Sequence, residues 1–327
     1  MLRSLLIILL LFPIGLLAQE IPEDPGTALD NYINLREGYK HSGTKQFSRT
    51  EQLEMDDYCF AMQKKFPDAF ETDLMWYING HFYQERGEKI SSAYAKAPSD
   101  KRVVKAMFGY YMLSGNKTKA ATLASKVGGY FSANTLNYFE DVLPSSGVLI
   151  VSSEQEALPL YILQMVKGKG TGIQVVNMDY LINDEYRASV SKYLGTGTME
   201  FFGSEASFIA KAMESSSVYV STTVSQSYIP GTSFITGLYY QGSVSNQKST
   251  LETFLKKVSV KNFASMSLTS SERKLYRNYL PPLLTLYRLK RNNGESDATL
   301  KSAILAIAKK VEQTKTVEEI LKDYDSN

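Results

Sequence analysis

The sequence predicts a mixed chain of the α/β plus α class: an N-terminal helical-hairpin, repeat-like region, a small, mostly parallel α/β domain, and C-terminal helices. Three observations carry that expectation. From Ala28 to about Val142 apolar and aromatic residues recur three and four apart, the period of helices with one buried face. At Pro144 the pattern changes to short apolar runs bounded by turn residues, as buried strands require. From Thr250 the helical spacing returns. The expected units are residues 1–18, 19–143, 144–248 and 249–327.

The first unit reads as a secretory signal peptide. Arg3 precedes an apolar run from Leu5 to Leu17, and Leu16-Leu17-Ala18 stands before Gln19-Glu20, so cleavage is expected after Ala18. The run is short against the ~20 apolar residues a spanning helix needs, and Pro13 and Gly15 interrupt it. Gln19, not cysteine, follows the expected cut, which argues against a lipoprotein anchor. These features predict a periplasmic or secreted protein with no membrane insertion after signal cleavage.

Composition narrows the partners. Thirty-six Lys and Arg stand against 34 Asp and Glu, a net charge of +2, with no basic block to neutralise phosphates, so no nucleic acid is expected. Cys59 is the single cysteine, which rules out an intrachain disulfide. His41 and His81 with that one cysteine do not make a usual zinc or copper set, and neither metal nor cofactor is expected.

In the helical region Gly43, Pro67, Gly87, Pro98 and Gly115 punctuate the pattern. Gly87 and Ala93 are echoed by Gly115 and Ala121, and Ala93, Ala97 and Pro98 resemble the end of a tetratricopeptide helix pair. The period falls short of the ~34 residues of that repeat, so degenerate hairpins are expected, not an orthodox array. Taken singly, Trp76, Tyr77, Phe82 and Tyr83 read as core of a helical bundle before they read as repeat positions.

In the middle unit, strands are expected at Gly147–Ser152, Gly172–Asn177 and Val218–Val224, with helices at Glu154–Val166 and near Ser204–Met213. Phe234–Tyr240 reads as a fourth strand, an edge or antiparallel partner. Strand, helix and strand in about 30 residues make a parallel crossover, which puts Ser152 to Glu156 at a strand's carboxyl end, where open α/β sheets bind ligands. The tail should form helices at Leu251–Val258, Ser270–Arg291 with a break at Pro281-Pro282, and Ala298–Tyr324. Whether it packs on the sheet or extends the helical half is left open.

The usual catalytic signatures are missing. There is no Gly-x-Ser-x-Gly elbow, phosphate loop, His-Glu-x-x-His or glycine fingerprint. Two Ser-x-x-Lys matches, Ser114 to Lys117 and Ser189 to Lys192, lack their companion motifs. Polar chemistry concentrates instead at Ser153, Glu154, Gln155 and Glu156, with Asn177, Asp179 and Asp184 after the second strand. One reading is helix capping, with Ser153 as cap and Glu156 at the third helical position. The other is a crevice in which carboxylate and amide oxygens hold sugar hydroxyls or a cation.

These residues carry a resemblance. Leu149-Ile150-Val151 running into Ser153-Glu154-Gln155-Glu156-Ala157-Leu158-Pro159-Leu160-Tyr161 is similar to the strand and acid-amide-acid segment in the soluble C-terminal part of a family of large bacterial membrane proteins. The polytopic half of that family is protein O-mannosyltransferase-like. Val175-Val176-Asn177-Met178 with Asp184-Glu185-Tyr186, Val218 to Val224, and Gly237-Leu238-Tyr239-Tyr240 resemble its later segments. Aspartates of the family pattern are Glu154 and Glu156 here, its glycine is Ser153, and the transferase half is absent. The resemblance implies a free-standing exported copy of the soluble domain, which has no assigned function in that family.

The function expected is a non-catalytic binding or accessory protein of a bacterial cell envelope, recognising a protein or glycan partner. The alternative is an envelope carbohydrate-active enzyme with Glu154 or Glu156 as acid or base and Asp179 or Asp184 as partner. The two separate on whether those four acids surround one concavity or stand apart. A purely structural role would instead require an exposed apolar patch on the helical half.

Overall fold

The computed structural model describes residues 21–39, 47–80, 86–197, 205–259 and 261–326. The expected signal peptide and its cleavage point, His41, Gly43, His81, Phe82 and Tyr83 lie outside the described residues. Local signals set the helix starts. Among the described residues seven helices come first: α1 (Pro25–Gly38), α2 (Arg49–Lys65), α3 (Phe70–Asn79), α4 (Gly87–Lys96), α5 (Lys101–Leu113), α6 (Lys117–Gly128) and α7 (Ala133–Val142). Asp24, Asp100, Asn116 and Ser132 each accept a backbone N–H of the first turn, and Ser48 with Glu51 forms a reciprocal capping box. Each such cap is worth about 1 kcal/mol.

The ends of α2 and α4 share one geometry. Phe66 (φ −133°, ψ 64°) and Ala97 (φ −136°, ψ 63°) both donate their N–H to the carbonyl four residues back, and a proline follows each. Proline has no N–H with which to continue a helix, so the chain turns and starts the next one. Consecutive helices from α1 to α6 are spatial neighbours.

The α/β unit follows as β1 (Gly147–Val151), α8 (Glu154–Lys167), β2 (Ile173–Asn177), a 3-10 turn (Met178–Ile182), α9 (Asp184–Leu194), α10 (Glu205–Ala212), β3 (Val218–Ser221), β4 (Phe234–Ile235) and β5 (Tyr239–Gln241). The sheet order is β2-β1-β3-β5-β4. β2, β1 and β3 are parallel, with Val148 opposite Gln174 and Val218; β5 runs antiparallel to β3, and β4 to β5. Three expectations need correction here. The third strand stops at Ser221, because Val224 turns its N–H back to Ser221 O at 3.0 Å. The run 234–240 is not one strand but two short ones with a turn between. Helix α9 was not foreseen: Val190 and Ser191 are its only buried residues, so its apolar stripe is too thin to read.

Strand alternation sorts the core into two layers. Leu149, Val151, Ile173 and Val175 face α8 and belong to the apolar cluster that runs through the helical region and the tail. Val148, Ile150, Val176, Val218 and Val220 face the other way, onto Val190 of α9 and Phe208 and Ile209 of α10. The crossover helix α8 is buried from Glu156 to Leu163 without a break, because α6 and α7 cover the side turned away from the sheet. One helix thus serves both the sheet and the helical stack.

The tail comprises α11 (Gln247–Ser259), α12 (Ser270–Tyr276), α13 (Leu280–Asn292), α14 (Ala298–Lys310) and α15 (Thr314–Ser326). Pro281 and Pro282 sit in the first turn of α13, where a missing N–H leaves no bond unmade. The expected single helix 298–324 is broken at Glu312, which takes a left-handed backbone (φ 59°). The tail docks on α7: Tyr138 meets Tyr276 and Tyr279 with ring centroids 5.8 and 5.7 Å apart. Buried Asp141 accepts from Tyr279 Oη at 2.5 Å and lies 3.0 Å from Lys261 Nζ. Phe254 and Leu238 join the same cluster, so the tail touches helical half and sheet alike. Much of the tyrosine content is therefore core: Tyr32, Tyr77, Tyr138, Tyr180, Tyr276 and Tyr279 are fully buried.

Candidate functional site

The chain leaves β1 towards one face of the sheet and reaches β3 from the other, so the carboxyl ends of these two neighbouring strands form the point where an α/β sheet opens a ligand crevice. Here that crevice is filled by Glu156. Its Oε1 accepts from Ser152 Oγ at 2.7 Å and its Oε2 from Thr223 Oγ1 at 2.5 Å. Ser221 Oγ lies 2.7 Å from Thr223 Oγ1, which extends the chain of hydroxyls onto the end of β3. Glu156 is 8% exposed, so these bonds replace water. A buried carboxyl is tolerated only when its oxygens are matched, and this one binds β1 to β3.

Glu154, two residues earlier, turns the opposite way. Its Oε1 accepts from Tyr180 Oη at 2.7 Å, and the same hydroxyl lies 3.2 Å from Gly109 O of α5. Gly109 is what admits it: a Cβ there would stand 1.8 Å from Glu154 Oε1. Burial pushes the Tyr180 hydroxyl well above the usual tyrosine range, and the Glu154 carboxyl pushes it further. Lys105, one turn before Gly109 on α5, is lowered by burial and by Lys101, with Glu154 opposing.

The capping expectation is half right. Ser153 occupies the cap position of α8, but its side chain makes no cap bond. Asp179 supplies the cap from beyond β2, its Oδ2 accepting the Glu154 N–H at 2.9 Å. Glu156 meets the Ser152 N–H at 3.4 Å, one residue earlier than a capping box requires. Asn177 Oδ1 accepts the Asp179 N–H at 3.0 Å, and its buried Nδ2 has no hydrogen-bond partner among the described residues. Gln155 is exposed. Asp184 stands apart in solvent, 86% exposed and 2.5 Å from Arg187 on its own helix. The four acids therefore do not surround one concavity.

A different concavity exists. A cleft of about 620 Å³ opens where the α5–α6 turn, α8 and α9 meet the free edge of β2. Tyr161, Gln164 and Met165 of α8, Tyr186 of α9 and Met112 of α5 form its walls, with Val175 of β2 in its floor. Gln164 Nε2 donates to Gly170 O and Ile173 O at 2.8 and 2.7 Å, and Tyr186 Oη accepts the Asn177 N–H at 3.0 Å. Burial drives the Tyr186 hydroxyl up to about 12, against the lowering by that N–H and by Tyr161. Ser114, Lys117 and Ser189, from the two Ser-x-x-Lys matches, also line it. None of Ser153, Glu154, Gln155, Glu156, Asn177, Asp179 or Asp184 does.

Sequence reasoning missed Tyr180, Ser221 and Thr223 at the strand ends and nearly all of the cleft. The hydroxyl runs Ser152-Ser153 and Ser221-Thr222-Thr223, each closing a strand, were the available sign of the first. Among the described residues no group of three His, Cys, Asp or Glu can hold a metal, and no helix is long and apolar enough to cross a membrane. Cys59 is buried, which pushes its thiol up. Leu53 and Phe60 are exposed on α2, and the Phe60 ring meets Trp76 edge-on at 5.1 Å. No protein-family model, curated protein or solved structure matches this chain.

Proposed function

We propose that the chain is an exported, non-catalytic binding or accessory protein of a bacterial cell envelope, and that it recognises its protein or glycan partner at the cleft beside β2. The observation that carries this reading is the contrast between the two places. The acids at the strand ends are engaged in holding the fold together, whereas the cleft is open and walled by apolar, aromatic and amide groups of the kind that fill ligand sites. Acid and base catalysis on a glycoside needs two carboxyls facing each other across a bond. Glu156 and Asp179 are committed to different partners, so the enzymatic reading has less support.

The helical region is read as degenerate tetratricopeptide-like hairpins, a reading supported by the shared turn geometry at Phe66 and Ala97. The signal-peptide pattern of residues 1–18 supports export to the periplasm or beyond. The resemblance of the α/β unit to the soluble part of the O-mannosyltransferase-like membrane family supports an envelope setting. Affinity purification of the tagged mature protein from envelope extracts tests the reading. A defined partner should be recovered by wild type and, at a temperature where it remains folded, by a Glu154→Ala/Glu156→Ala variant, and lost from Ser189→Arg, which blocks the cleft. Turnover of an envelope glycan that disappears with Glu154→Ala would overturn it.

A further inference from the structure

The expected cleavage after Ala18 makes Gln19 the first residue of the exported chain. A glutamine in that place carries its own reaction partner. Its α-amine and its side-chain Cδ are joined through Cα, Cβ and Cγ, so a bond between them closes an unstrained five-membered lactam. An α-amine ionises at about pH 7.7–8.0, and a substantial neutral, nucleophilic fraction is therefore present near neutral pH.

The fold fixes where that end lies. Ile21 is 7% exposed and belongs to the core of the helical region. Its carbonyl accepts from Lys65 Nζ at 2.8 Å, and the same ammonium lies 2.6 Å from Glu23 Oε1. The chain is thus tied to the last residue of α2 on both sides of Pro22. Gln19 and Glu20 alone separate the expected cut from that tie, a reach of at most roughly 7 Å. A free α-ammonium so near would be a second cation beside the Glu23 carboxylate that Lys65 holds, whereas the lactam is uncharged. An open end would also offer aminopeptidases Gln19 and Glu20, the two residues ahead of buried Ile21.

We propose that the N-terminus of the exported protein is a modification site, where Gln19 cyclises to pyroglutamate and the closed end seals the chain against trimming towards Ile21. The α-nitrogen forms a bond to Cδ and the Cδ–Nε2 bond breaks. The departing nitrogen takes a proton from the attacking amine and leaves as ammonia. No oxidant, reductant or co-substrate is consumed. The inference rests on the export reading and adds the fate of the exposed end; neither the cleft nor its partner enters it.

The test is mass spectrometry of the full protein exported from a bacterial host, wild type beside Gln19→Asn. Asparagine keeps the amide, but its shorter side chain would have to close a four-membered ring, so it stays open. Wild type should weigh one ammonia less than residues 19–327, with the deficit confined to the tryptic peptide 19–36, and pyroglutamyl peptidase should convert it to a chain beginning at Glu20. Gln19→Asn should carry its full mass. A general aminopeptidase should leave wild type intact and shorten the variant at its N-terminus. Trimming of wild type as fast as the variant would overturn the seal. A wild-type chain that begins at Gln19 with a free amine, or an exported chain that begins at any other residue, would overturn the inference and leave export standing. A chain that keeps residues 1–18 would sink both. If the variant fails to fold or to be exported, the mass of the wild-type peptide 19–36 decides the matter alone.

Discussion

The carboxyl ends of β1 and β3 and the free edge of β2 lie on one small sheet, yet they use polar groups in opposite ways. At the strand ends each acid faces a donor a few ångströms off: Glu156 has Ser152 and Thr223, Glu154 has Tyr180, and Asp179 has the Glu154 N–H. At the edge, Lys117 and Glu185 line the cleft, exposed and without ion pairs among the described residues. Matched polar groups hold a fold, and unmatched ones in a concavity are available to a ligand. A concentration of acids at a favourable topological position is therefore not by itself a site.

Damage at the strand ends should therefore appear as instability. Glu156→Ala takes away the buried carboxylate that the Ser152 and Thr223 hydroxyls share across β1 and β3, and should lower stability by roughly 3 kcal/mol in urea unfolding. A change below about 0.5 kcal/mol would show that Glu156 is not structural. Gly109→Ala comes next, because its Cβ would meet Glu154 Oε1; about 2 kcal/mol should be lost. Much of that loss should return in the Gly109→Ala/Glu154→Ala double variant, and simple additivity would mean that the two residues do not interact. Asp179→Ala removes a helix cap and should cost about 1 kcal/mol, while Ser153→Ala, whose side chain makes no cap bond, should cost less. The reverse order would restore Ser153 as the cap.

The edge should behave in the other way. Lys117→Gln and Glu185→Gln are exposed changes away from any ion pair among the described residues, and thermal unfolding should place them within about 0.5 kcal/mol of wild type. The same two variants should nonetheless lose ligand. Equal stability with undiminished binding would move the recognition surface elsewhere.

How far the sequence shows this depends on which force shapes each part. The run Gly147 to Val151 and the period of Glu154 to Lys167 are local hydrophobic patterns, and strand and helix follow where the spacing puts them. Helix α9 carries too few apolar residues to announce itself, and the break at Glu312 comes from one left-handed residue that composition does not mark. At the site, the capping expectation for Glu154 to Glu156 placed the helix start correctly but named the wrong cap, because Asp179 arrives from the turn that follows a neighbouring strand. The cleft was out of reach for the same reason at larger scale. Met112, Gln164, Val175 and Tyr186 come from four elements, and only the docking of α8 between the sheet and the helical stack brings them together.

The central claim is that recognition takes place at the β2 edge and not at the strand-end acids. Two methionine methyls report on it directly: Met165 lines the cleft, and Met178 is buried immediately after β2, beside Asn177 and Asp179. ¹³C-methyl spectra of the mature protein, titrated with fractionated envelope extract, should show Met165 shifting saturably while Met178 stays in place. A shift at Met178 with Met165 unmoved would contradict the account.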